Sequence, residues 1–190
     1  MRISTACGVV LLFFAVALGT AAVAQYSGGV CATPDGSPMK MWNIRAGALF
    51  PRTDGDFKTT WNVGIEREHP ADRIIKGMPG NFSLSVDYAQ FKSFDGVETR
   101  NVGLIPIYVN WKNHYMIANS DQSWYWGVGA GVYAAQRIIP EMNMTSTTQF
   151  AWNAGLGYHF TPAWFGEVRY LASNHIKDSR LVALDLGYSF

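Results

Sequence analysis

The sequence is short of charge, of cysteine and of helical patterning, and each shortage closes off a class of protein. Asp, Glu, Lys and Arg make up only 15% of the 190 residues, against roughly 25% in ordinary soluble domains. The charges that exist have almost no sign bias, with formal net charge +1, so there is no electrostatic footprint for nucleic acid. Cysteine occurs twice, at Cys7 and Cys31. Cys31 is preceded by "SGGV", a poor lipobox, and reads as an inert thiol. After about residue 40 no amphipathic helical stretch appears, so a helix bundle is not expected. The glycines of "GVGAGV" recur every second residue within a strand pattern. They cannot form the turn before a helix that a phosphate-binding loop needs.

One long apolar run is present, at the N-terminus. Met1-Arg2 give a positive start, "GVVLLFFAVALG" an apolar core, and "AAVA" places Ala22 and Ala24 before Gln25 as a small-residue cleavage site. This layout predicts a cleavable secretory signal peptide over 1–24. Loss of Cys7 with it leaves Cys31 alone, which excludes an intrachain disulfide. Residues 25–41, punctuated by Gly, Pro and Ser, read as a flexible periplasmic lead-in.

What the sequence does have is alternation. Eight segments with an apolar residue at every second position are expected near 42–50, 58–67, 81–91, 100–111, 124–136, 148–160, 164–172 and 181–190. The joints between them, such as "PRTDGD", "KSFDGVE", "FTPA" and "SNHIKDS", hold the Pro, Gly, Asp and Asn that turns require. Most segments exceed the five or so residues of an average soluble strand and match the nine to eleven or so of a tilted membrane strand. Pro106, in "LIPIYVNW", cannot donate to a ladder. A bulge there would let Val102 and Leu104 share a face with Ile107, Val109 and Trp111.

Alternation leaves open whether the apolar face lines a soluble core or meets lipid, and the opposite face decides. In the fifth segment it reads Tyr125, Gly127, Gly129, Gly131, Tyr133, and in the sixth Gln149, Ala151, Asn153, Gly155, Gly157, His159. A soluble exported ligand-binding barrel would present Lys, Glu and Thr to water instead. Glycine suits a crowded lumen. Arg45, Glu66, Asp87, Glu167, Arg169 and Asp185 are expected to meet there as a polar network. The apolar faces place Trp and Tyr near segment ends with Val, Ala and Leu between them, the girdle pattern of outer-membrane barrels. The expected fold is all-β: an eight-stranded antiparallel up-and-down transmembrane β-barrel over 42–190. Its surroundings would be outer-membrane lipid, and residues 92–100, 137–147 and 173–180 would face outward as binding loops.

The stretches "LIPIYVNW", "WYWGVGAGVY", "FAWNAGLGYHFTPAWFGEVRY" and the closing "LVALDLGYSF" resemble the outer-membrane β-barrel domain family, the small barrels related to OmpA and the opacity proteins. The resemblance spans roughly 42–190. It implies that the last strand, here through Tyr188 and Phe190, is the signal read by the barrel-insertion machinery.

No constellation declares chemistry. Eight strands enclose a lumen that side chains fill, which argues against a wide pore. A lipid A 3-O-deacylase, also an eight-stranded barrel, resembles this chain at "LASN". Ser173 and Asn174 match that family's His-x-Ser-Asn motif, but Leu171 stands where its histidine belongs, and His175 is poorly placed to replace it. A serine without a positioned base is not activated, so a non-enzyme is expected. His69, His114, His159 and His175 show no ligand spacing; no metal or cofactor is expected, and His159 reads as a lumen filler.

Overall fold

The computed structural model describes residues 42–51, 59–94, 99–136, 147–173 and 180–190. The signal peptide and lead-in expected at 1–24 and 25–41 lie outside the described residues, as do 95–98, 137–146 and 174–179 of the expected binding loops. Eight strands follow one another: β1 (Trp42–Pro51), β2 (Thr60–Pro70), β3 (Asn81–Phe94), β4 (Thr99–Met116), β5 (Ser123–Ala135), β6 (Thr148–His159), β7 (Trp164–Ser173) and β8 (Leu181–Ser189). Each pairs antiparallel with the next, and β8 closes the barrel on β1.

The closing seam runs from Asn43 opposite Ser189 to Pro51 opposite Leu181. It continues past the strand end. Phe190 N–H donates to the Trp42 carbonyl at 2.8 Å and Trp42 N–H to that of Phe190 at 3.2 Å. The last residue is therefore held in the ladder and no strand edge is left open at the seam.

Alternation turns the chain inside out. Ile44, Val63, Ile65, Leu84, Val109, Leu184 and Leu186 are exposed on the outer wall, while Arg45, Glu66, Asp87 and Asp185, from the same strands, are buried inside. Aromatic residues bracket this aliphatic band. Trp42, Trp164 and Phe190 stand at the end where β1 begins and β8 finishes, called the terminal end below, with Trp164 and Tyr188 in ring contact at 5.2 Å. Phe50, Trp61, Phe150 and Trp152 stand at the other end, where Trp61 meets Tyr88 and Trp152 meets Tyr170. Removing such a band from water requires hydrocarbon around it.

At the terminal end the joints are compact. Residues 68–80 and 112–123 look long for tight turns in the sequence, but β2 runs on to Pro70 and β4 to Met116. What remains is a short 3-10 turn at Ala71–Arg73 leading into residues 74–80, and a turn at 117–122. In the latter, Ile117 N–H bonds the Gln122 carbonyl at 3.0 Å and Asn119 adopts φ 58°, a left-handed geometry that asparagine tolerates.

The bulge expected at Pro106 is absent. The β3–β4 register is the same on both sides of it, Val86 opposite Ile107 and Ala89 opposite Leu104. The β4–β5 ladder passes through Pro106 opposite Tyr133. The missing proline donor interrupts pairing only opposite Asp87 and Tyr88. Val102 and Leu104 consequently point inward and are fully buried, while Val109 points outward.

Candidate functional site

The interior is the part of the described chain with concentrated polar chemistry, and alternation alone puts it there. All six residues expected in the lumen network meet. Arg45, on β1, spans to Glu66 (Nη1–Oε2 3.0 Å) and to Asp87 (Nε–Oδ1 3.0 Å, Nη2–Oδ2 3.0 Å). Arg169, on β7, donates to Asp87 through Nη1 at 2.8 Å and Nη2 at 3.3 Å, and to Asp185 through Nη2 at 2.7 Å and Nε at 3.0 Å. Asp87, on β3, is thus clamped by two guanidiniums from β1 and β7, the strands on either side of β8. Glu167 lies 3.4 Å from Arg169 Nε and 3.7 Å from Arg45 Nη1.

Two further charges complete the layer, Lys112 and Glu68. Lys112 Nζ donates to Glu66 Oε2 at 2.6 Å and Glu68 Oε1 at 3.2 Å. Glu68 also accepts from Asn43 at 2.9 Å and Asn81 at 3.0 Å, and lies 3.2 Å from His114 Nε2. Neutral side chains add further hydrogen bonds: Ser83 Oγ donates to Glu66, Asn62 Nδ2 to Asp185 at 2.8 Å, and Asn153 Nδ2 to Asn110 Oδ1 at 2.8 Å, while Glu167 Oε2 accepts none. Buried charge is costly unless paired and hydrogen-bonded, and this layer meets that condition almost throughout. Among its members it leaves a cavity of only about 10 Å³, room for about one water molecule.

Lys112 and Glu68 fell in stretches that the sequence suggests are joints. Lys112 follows Asn110 on the inward face by parity, but it lies one residue past the expected end of the fourth segment, and β4 runs on to Met116. Glu68 continues the inward series Asn62, Gly64, Glu66 by simple parity.

The lumen is polar over only part of its length. Toward the end away from the termini, Leu49, Phe91, Val102, Leu104, Leu171 and Leu181 form an apolar plug with Tyr108 and Tyr133, whose rings meet edge-on at 6.2 Å. The expected filled polar lumen is thus filled, but polar over only part of its length. The physical reason is the inward phase of β4 on the far side of Pro106, joined by Leu49, Phe91, Leu171 and Leu181 from neighbouring strands. At the terminal end, His114 and His159 approach to 6.0 Å between ring centres and pack with Tyr125 and Phe165. His159 is an aromatic filler rather than part of the charged layer. Glycines make room for this packing: a Cβ on Gly187 would lie 2.6 Å from a carbon of the Phe165 ring. Among the described residues no group of three or more His, Cys, Asp or Glu is arranged to hold a metal ion.

Ser173 also points inward, with Oγ donating to Gln149 Oε1 at 3.4 Å. Leu171, two residues before it, is buried in the plug. Asn174 and His175 lie outside the described residues. Tyr188 and Phe190 face the outer wall at the seam.

No family model and no curated protein matches the chain in sequence. Solved structures do match. The outer membrane enzyme PagL aligns with 77% of this chain and 97% of its own at TM-score 0.56 and 14% identity. Neisserial surface protein A (NspA) aligns with 78% of this chain and 96% of its own at TM-score 0.53 and 15% identity. The chain has the fold of a small outer-membrane β-barrel. Both likenesses cover about three quarters of the chain, and they are likenesses of fold.

Proposed function

We propose that the protein is exported to the outer membrane and acts there as a structural or surface-interaction barrel without a passage for solute. One observation carries this reading: the interior is closed twice over, by the layer of ion pairs around Asp87 and by the apolar plug around Tyr108 and Tyr133. With the lumen occupied, two regions remain to act, the lipid-facing wall and the loops beyond Phe50, Lys92, Gln136 and Ser173. In this orientation the termini face the periplasm, and Tyr188 and Phe190 serve the insertion machinery as the resemblance implies. The deacylase alternative has weaker support, because the position that would need a histidine is Leu171, packed among apolar side chains.

Purified protein reconstituted in a planar lipid bilayer tests this. The expected record is a bilayer with no conductance steps above background across ordinary voltages. Reproducible stepwise conductance from the monomer would overturn the filled-lumen reading.

A further inference from the structure

The joint between β2 and β3 carries two isoleucines into the open. Ile74 is 61% and Ile75 52% exposed, set between Arg73 and Lys76 in "RIIK". The joint is otherwise firmly tied. Ala71 is fully buried and its N–H bonds the Gly80 carbonyl at 2.9 Å. Ile74 and Ile75 N–H groups both donate to the Ala71 carbonyl, and Gly77 N–H donates to Asp72 Oδ1 at 2.6 Å. Gly77 and Gly80, at φ 81° and 84°, permit the reversal. An ordered loop that still projects two adjacent large apolar side chains marks an apolar contact surface.

Its position and charge identify the contact. Trp111 faces outward on β4, and its indole N–H donates to the Pro79 carbonyl at 2.9 Å. The returning half of the loop therefore lies against the aromatic girdle on the lipid side, continuous with the band that meets hydrocarbon. Arg67 also projects outward, 5.1 Å from the centre of the Trp42 ring. Arg67, Arg73 and Lys76 thus stand at the level of the terminal-end girdle, where headgroups begin, while Asp72 is taken up by the Gly77 amide. Apolar side chains flanked by basic ones are the composition of segments that lie in a membrane interface.

We propose that residues 71–80 form an interfacial anchor: Ile74 and Ile75 enter the adjacent leaflet, and Arg67, Arg73 and Lys76 bind anionic phospholipid headgroups. The proposal rests on the outer-membrane reading, which makes this leaflet the periplasmic one.

The test uses protein carrying Cys7→Ser and Cys31→Ser, with Ile75→Cys bearing an environment-sensitive fluorophore, in nanodiscs of phosphatidylcholine with or without phosphatidylglycerol and a doxyl-labelled lipid. A Val128→Cys label, on the outer wall, reports whether the barrel is in the bilayer. The Ile75 label should be blue-shifted and quenched by doxyl lipid, more strongly with phosphatidylglycerol. Arg73→Gln with Lys76→Gln should lower the preference for phosphatidylglycerol by about fivefold per charge removed. A quenched Val128 label beside an unquenched Ile75 label overturns the anchor alone. Equal quenching with and without phosphatidylglycerol, unchanged in the double variant, overturns the headgroup assignment. If neither label is quenched, the membrane reading falls with it.

Discussion

Replacing Arg169 by methionine is expected to be among the most damaging single changes in the barrel. Its guanidinium makes four contacts of 2.7–3.3 Å with Asp87 and Asp185 and lies 3.4 Å from Glu167, and all three carboxylates are buried. Methionine keeps most of the volume and removes the charge. The buried cations fall from three (Arg45, Lys112, Arg169) to two against five carboxylates (Glu66, Glu68, Asp87, Glu167, Asp185). Breaking a buried pair from one side typically costs about 3–5 kcal/mol, because the abandoned charge stays desolvated. With a urea slope of about 2 kcal/mol per molar, the unfolding midpoint should move down by about 2 M. The assay is equilibrium urea unfolding in lipid vesicles, followed by tryptophan fluorescence. A companion variant, Arg169→Met with Asp185→Asn, removes charge from both sides and should recover part of the loss. A midpoint shift under about 0.3 M for Arg169→Met, or no recovery in the pair, would show that these buried ion pairs do not hold the layer together.

Three further outcomes follow from the packing. Gly131→Ala places a Cβ 2.8 Å from backbone carbons of Ile107 and Tyr108, whereas on Gly127 it would meet the flexible Lys112 side chain at 2.9 Å; the first should lose about 1–3 kcal/mol in the same urea assay, and the second clearly less. Leu104→Ala leaves a cavity in the plug and should cost about 2–4 kcal/mol, while Val109→Ala, on the wall that lipid can refill, should cost under about 1 kcal/mol; equal costs would mean that the faces on the two sides of Pro106 are assigned wrongly. Lipid A from cells overexpressing the protein, examined by mass spectrometry, should match that from cells overexpressing Ser173→Ala; loss of a 3-linked acyl chain that depends on Ser173 would establish a hydrolase.

The strands were legible because a membrane barrel writes its two faces into every second residue. The sequence places β1, β7 and β8 within a residue or so, and the inward set Arg45, Glu66, Asp87, Glu167, Arg169 and Asp185 follows from parity. Parity conflicts with a local rule at one point: proline usually ends or kinks a strand, and by that rule Pro106 calls for a bulge. The barrel instead tolerates a short gap in one ladder, since β4 stays paired with β5 without a break from Leu104 to Met116, and the phase is kept. That single residue hid the inward course of Val102 and Leu104, two of the side chains of the apolar plug. Lys112 and Glu68 were missed for a related reason: strands extend past the lipid band, so polar residues near the membrane edge resemble turns until their partners are known. The geometry among the charges, with Asp87 held by arginines from β1 and β7 that meet only once β8 closes the barrel, is invisible in one dimension.

Whether the apolar face of this barrel points outward into a membrane is decided by cell fractionation with gel mobility. The protein is expected with the outer membrane, released by detergent, and with a mobility that changes on boiling, because the closed barrel survives the detergent until heated. Recovery in the soluble periplasmic fraction, with one mobility whether or not the sample is boiled, would contradict that outward orientation.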